Sequence, residues 1–138
     1  MLLEARAPWE AAALLAATPW LNRLPASDGH PVLVFPGLAA SDISTVPLRR
    51  FLRQRGHWTH AWRQGSNLGP RHGLLRACRE RVQQLAEHHG RQVSLVGWSL
   101  GGVYARELAK EVPELVRCVV TLGSPFAGHP RATNAWRL

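Results

Sequence analysis

Three short apolar runs punctuate the chain, VLVF at 32–35, VSLV at 93–96 and CVVTL at 118–122. Each is too short for a buried helix, and each is continuous rather than alternating. That pattern suits strands covered on both faces, as in a parallel sheet. A fourth strand is expected over 58–62, where two tryptophans bracket a Thr-His-Ala core. Helical periodicity fills the gaps. Leu48, Phe51 and Leu52 fall at i, i+3 and i+4 with Arg49, Arg50 and Arg53 on the other side, Ser44 or Thr45 as the N-cap and Gly56 just past the end. Leu74, Leu75, Cys78, Val82, Leu85 and Ala86 mark a longer helix that stops near Gly90 and turns its arginines to water. A third helix is expected over 103–112, closed by Pro113. The alternation of strand and helix, with connections of this length, predicts an α/β fold: a parallel sheet of about four strands with helices on both faces. Residues 1–28 read as a leading helix and linker, with Pro8 near the helix start and Pro19 and Pro25 at its end. Residues 29–138 form the α/β unit.

Length and composition fit one globular domain or part of one, since 138 residues with 46% hydrophobic content can bury a core. The net charge is +8, but the basic residues are nearly all arginine and are scattered from Arg6 to Arg137. Scatter of this kind describes a solvated surface better than a nucleic-acid site, so no nucleic-acid partner is expected. Cys78 and Cys118 are far apart and lack CxxC spacing; both read as small core residues, and no metal site is expected. Glu4 and Glu10 stand where a secretory signal carries only positive charge, and no run approaches the roughly 20 apolar residues of a membrane span. The expectation is a cytoplasmic protein. Neither a phosphate loop nor a dinucleotide fingerprint occurs, so no cofactor is expected.

The candidate chemistry lies in Gly97-Trp98-Ser99-Leu100-Gly101-Gly102, a G-x-S-x-G sequence with a buried strand before it and a helix after it. In such a turn the serine takes a strained backbone conformation at the carboxyl end of a strand and presents its hydroxyl to solvent. Strand and helix then pass too closely for side chains at the flanking positions, which Gly97 and Gly101 satisfy. A serine nucleophile also needs N–H donors for the oxyanion that develops on a substrate carbonyl. The Leu100 amide opens a helix, where free donors and the helix dipole favour negative charge. A second donor is expected from the loop after the first strand, where Gly37 lets the backbone turn inward and the Leu38 amide is the candidate.

The segments VLVFPGL, VSLVGWSLGG and VVTLGSPFAG, which together extend from about residue 31 to about 128, resemble the N-terminal part of the α/β-hydrolase fold, in its lipase and esterase branch. The resemblance implies Ser99 as nucleophile with Leu38 and Leu100 as oxyanion donors. Where many relatives have His-Gly after the first of these strands, this chain has Pro36-Gly37, which leaves the amide donor in place. The family's acid and histidine follow the nucleophile after later strands. Downstream of Ser99 this sequence has only Glu107, Glu111 and Glu114, on or beside the nucleophile's helix, and His129, which reads as a loop histidine. The remaining histidines read as surface or loop residues. A serine without a base is a poor nucleophile at neutral pH. The expectation is therefore a truncated portion of a larger hydrolase that turns over esters poorly alone, with an open sheet edge prone to self-association.

Trp98 and Phe126 are candidates to line an apolar acyl pocket beside Gly37, although both also suit core packing. Arg63, after the second strand, could meet a carboxylate or lipid headgroup, and Asp42 reads as an organiser of the following helix start. The leading reading is a serine-dependent carboxylic-ester hydrolase acting through an acyl-serine on a small-molecule or lipid ester. Two others stand beside it: an acyltransferase or thioesterase using the same turn, and a non-catalytic basic α/β binding module.

Overall fold

The computed structural model describes residues 16–21 and 23–125. Residues 16–21 are helical, and the rest of the expected leading helix lies outside the described residues. Four strands follow in the expected places: β1 (Pro31–Phe35), β2 (Trp58–Ala61), β3 (Val93–Trp98) and β4 (Val116–Leu122). Three helices alternate with them: α1 (Val46–Gln54), α2 (Leu74–His89) and α3 (Leu100–Glu111). All strand pairs are parallel, in the order β2-β1-β3-β4.

The continuous apolar runs are explained by two cores, one on each face of the sheet. Leu33, Phe35, Val93 and Leu95 point to one face, where they pack with Leu74, Cys78, Val82 and Leu85 of α2 and with Tyr104, Ala105 and Leu108 of α3. Val32, Val34 and Val96 point to the other face and meet Leu48 and Leu52 of α1. The sheet is thus covered by helices on both faces, and alternate residues of β1 serve opposite cores.

Some local expectations need correction. Thr45 occupies the N-cap position of α1, but its hydroxyl caps no amide; it donates back to the Asp42 carbonyl at 2.8 Å. Proline within the first turn of α1 already removes one of the orphan donors a cap would serve. The Asp42 carboxylate reaches away from the helix, accepting from the amides of Trp62 (3.1 Å) and Arg63 (3.2 Å), while its carbonyl holds the helix start. Of the arginines of α2, Arg81 does not simply face water, because its Nε is buried. Helix α3 begins at Leu100, three residues earlier than the glycines suggested. Cys118 is exposed, unlike Cys78, because β4 is an edge strand whose outer residues lack a covering layer among the described residues.

At the amino ends of the strands one carboxylate ties three of them together. Asp28, just before β1, accepts from Arg91 before β3 (3.1 Å), from Arg117 of β4 (2.6 Å) and from His30. The hydrogen bond from His30, then that from Arg117, hold the Asp28 carboxyl well below the usual carboxylate range. No helix among the described residues is long and apolar enough to cross a membrane.

Candidate active site

The chain direction across the sheet reverses between β1 and β3: from β1 the chain moves to β2 on one side, then returns to place β3 on the other. In open parallel sheets the crevice beyond the carboxyl ends at such a reversal is where ligands bind. The loop after β1 and the turn after β3 flank that crevice, and they carry Gly37 and Ser99.

Ser99 has φ 50° and ψ −120°, a left-handed value that a side-chain-bearing residue rarely adopts. Its neighbours make the conformation possible. A Cβ on Gly97 would overlap the backbone of Gly101 and Gly102, and one on Gly101 would lie 2.5 Å from the Phe35 carbonyl oxygen and 2.6 Å from that of Pro36. The first turn of α3 therefore passes directly over the end of β1. The strained residue is held by its own main chain. Its N–H donates to the Leu122 carbonyl at 2.8 Å, and its carbonyl accepts from the Ser124 hydroxyl at 2.7 Å and from the Gly102 amide at 3.0 Å. With its backbone committed, the Ser99 hydroxyl has no hydrogen-bond partner among the described residues.

The first-strand loop comes up against this turn. A Cβ on Gly37 would sit 3.4 Å from the Ser99 Cβ and from the Trp98 carbonyl oxygen. The Gly37 carbonyl accepts from Ala40 at 3.2 Å, closing a four-residue turn. In a trans peptide the N–H opposes the C=O, so the Leu38 amide is directed away from the turn's interior. Neither the Leu38 nor the Leu100 amide has an acceptor among the described hydrogen bonds. Leu100 is also the first residue of a 12-residue helix with no acid in its opening turn, which leaves the positive end of the dipole unneutralised. Half-buried Ser99 thus lies between two elements whose Leu38 and Leu100 N–H groups have no acceptor among the described residues.

Trp98, next to Ser99 in the chain, is 53% exposed. Phe126 and His129 lie outside the described residues. The described histidines are engaged elsewhere or exposed. His57 pairs with Ser27 at 2.8 Å and His30 with Asp28, at the amino ends of the strands and therefore across the sheet from Ser99. His60 Nε2 and His89 Nε2 lie 2.9 Å apart between β2 and α2. His72 is exposed in the loop before α2. Among the described residues no three side chains converge as metal ligands.

Sequence reasoning missed two contributors. Asn67 is fully buried behind the first-strand loop, and Ser124 fastens the serine turn from β4's far end. Their bonds to Pro36 and to Ser99 span 31 and 25 residues, so these contacts leave no local signal in the sequence.

The sequence profile of the Alpha/beta hydrolase family matches residues 32–138. No curated protein matches the chain. Among solved structures it is similar to the mature form of the Bacillus licheniformis lipase BlEst2, with a TM-score of 0.62 at 19% identity over 83% of this chain and 48% of that one. It is also similar to a monoacylglycerol lipase from Paleococcus ferrophilus, with a TM-score of 0.58 at 22% identity over 77% of this chain and 42% of that one. An α/β hydrolase from a lagoon-sediment metagenome gives a TM-score of 0.52 at 20% identity over 74% of this chain and 48% of its own. The chain spans less than half the length of each of these. The parallel sheet flanked by helices and the profile match over most of the sequence lead to one conclusion: the chain belongs to the alpha/beta hydrolase family.

Proposed function

We propose that this chain carries the nucleophile portion of a serine-dependent carboxylic-ester hydrolase, with residues 29–138 as the N-terminal part of the hydrolase domain. The observation that carries the reading is the φ of 50° at Ser99, held at the carboxyl end of β3 within contact distance of the first-strand loop. A strained serine after a buried strand, its hydroxyl without a partner among the described residues, fits a nucleophile turn.

An ester carbonyl entering the crevice would meet Ser99 Oγ, with its oxygen toward the Leu38 and Leu100 amides. Attack forms the C–O bond to Ser99 and moves the carbonyl electron pair onto oxygen, where the two N–H groups and the α3 dipole stabilise it. Collapse expels the alkoxide, which takes up a proton to leave as the alcohol, and the acyl group stays on Ser99. Water then repeats the sequence and releases the acid. The proton leaving Ser99 needs a base, and this reading assigns it to residues outside the described ones. Trp98, Gly37 and Phe126 would line the acyl side, and the lipase relatives favour a small-molecule or lipid ester as substrate.

Prolonged incubation of the purified chain with an alkyl fluorophosphonate, followed by peptide mass spectrometry, tests the assignment. Oxyanion stabilisation without a full triad still supplies about 10³–10⁴-fold over water in serine hydrolases. Ser99 should therefore be modified well ahead of Ser27, Ser41, Ser44, Ser66, Ser94 and Ser124, and Ser99→Ala should lose the adduct. Uniform or absent labelling of the folded chain would remove the reading and favour a binding module.

A further inference from the structure

The loop that carries the Leu38 amide has no regular structure of its own, yet an oxyanion donor must be held to a fraction of an ångström. One residue supplies most of its anchorage. Asn67, in the loop after β2, donates from Nδ2 to the Pro36 carbonyl at 2.9 Å. Its main-chain N–H donates to the Ala40 carbonyl at 2.8 Å, and its carbonyl accepts from the Ala39 amide at 2.7 Å. Three bonds from one residue thus bracket Leu38 on both sides. Asn67 is in turn fixed from behind, because its Oδ1 accepts from the Gly69 amide at 3.3 Å and from the Tyr104 hydroxyl at 3.4 Å.

The loop needs this anchorage. Ala39 has φ 58° at the third position of the turn closed by Gly37 and Ala40, where glycine is the usual occupant. Left to itself, an alanine there costs on the order of 1 kcal/mol and favours another turn geometry. A different geometry would reorient the peptide planes on either side of Leu38. Tyr104 also matters by position: it lies on α3, the helix that begins at Leu100, and its ring stacks on Trp62 at 6.4 Å. Asn67 therefore joins the element bearing one N–H donor to the element bearing the other. Burial alone does not explain the arrangement: an apolar side chain of similar volume would keep the two main-chain bonds but lose those of the side chain to Pro36, Gly69 and Tyr104.

We propose that Asn67 is the positioning residue of the oxyanion site, setting the Leu38 amide relative to the Leu100 amide. The assignment rests on the serine-hydrolase reading and deepens it. It acts on the charge that develops during attack and not on ground-state binding, so removing it should lower the rate of the chemical step with little change in affinity.

The test measures phosphonylation of Ser99 in the full chain across a range of fluorophosphonate concentrations, which separates the limiting rate from the half-saturating concentration. Asn67→Ala should lower the limiting rate ten- to a hundredfold and leave half-saturation within twofold. In amide spectra the Leu38 and Ala39 signals should move while those of Val93 and Leu95 in β3 stay in place. Tyr104→Phe keeps the ring stack and removes only the hydroxyl, so it should lower the limiting rate two- to fivefold; it serves if Asn67→Ala does not fold. A folded Asn67→Ala chain labelled at the wild-type rate overturns the proposal, as does an unchanged rate in Tyr104→Phe where that variant stands in. A loss that comes with displaced β3 signals overturns it too, because that is general loosening. If wild-type Ser99 is not labelled at all, the serine reading fails and this proposal falls with it, whereas labelling that ignores Asn67 removes only the positioning role.

Discussion

Ser99 sits at φ 50° because its neighbours leave it no alternative, and that strain is measurable. Ser99→Gly should unfold at higher denaturant than Ser99→Ala, by about 1 kcal/mol, since glycine adopts this conformation without the steric cost. Equal stabilities would mean the turn is relaxed. Gly101→Ala should do the opposite and cost about 3 kcal/mol or more, because its new methyl would meet the Phe35 and Pro36 carbonyl oxygens of a strand that cannot retreat. The glycine-flanked serine turn was legible in the sequence since its glycines and serine lie within six residues, whereas the Leu122 and Ser124 contacts that hold it were not. The Leu38 loop was legible as a place, through Pro36 and Gly37 after a buried strand. Asn67 was not: in a loop already rich in Gly, Pro and Asn it reads as one more turn former, and only the approach of the first-strand loop and of Tyr104 on α3 gives its amide a task.

The elements themselves follow their apolar runs closely, and the departures have physical causes. Helix α3 starts within the glycine cluster because those glycines serve close approach to β1 and not a break in the chain. Strand β4 reads from its sequence as buried on both faces, yet Val120 and Leu122 are 44% and 42% exposed. Among the described residues helix α3 is the helix packed along β4, and a hydrophobic run records the need for burial without naming the layer that provides it. This face and edge should promote self-association, which sedimentation at rising concentration would show and Val120→Lys should suppress. Concentration-independent sedimentation of the wild type would count against it. The end of α2 is more routine: Gly90 is left-handed at φ 60°, so Gly90→Ala should cost about 1 kcal/mol in urea unfolding.

For the molecule as a whole, acid should act in two stages. Burial, together with His89, Arg81, Arg63 and His88 nearby, pushes His60 down to about 4, and burial also lowers His57 and His89. These groups bind fewer protons folded than unfolded, so stability should fall as pH drops from about 6.5 toward 4 and then level off for this contribution. Asp28 is shifted in the same downward sense but from a lower starting value, because its charged form is the one its partners hold. Its stabilisation is complete above the ordinary carboxylate range and is lost only in stronger acid. Unfolding midpoints between pH 8 and 1 should therefore show a histidine-dependent step that His60→Phe diminishes, followed by a lower step, below about pH 4, that Asp28→Asn removes. The bonds that hold the strained serine carry a consequence for biosynthesis. Ser99 is locked by Leu122 and Ser124, so a nascent chain cannot set this turn until more than twenty further residues have left the ribosome. On the serine-hydrolase proposal, the Ser99 hydroxyl is thus set only after the strands and helices from β1 to α3 have emerged.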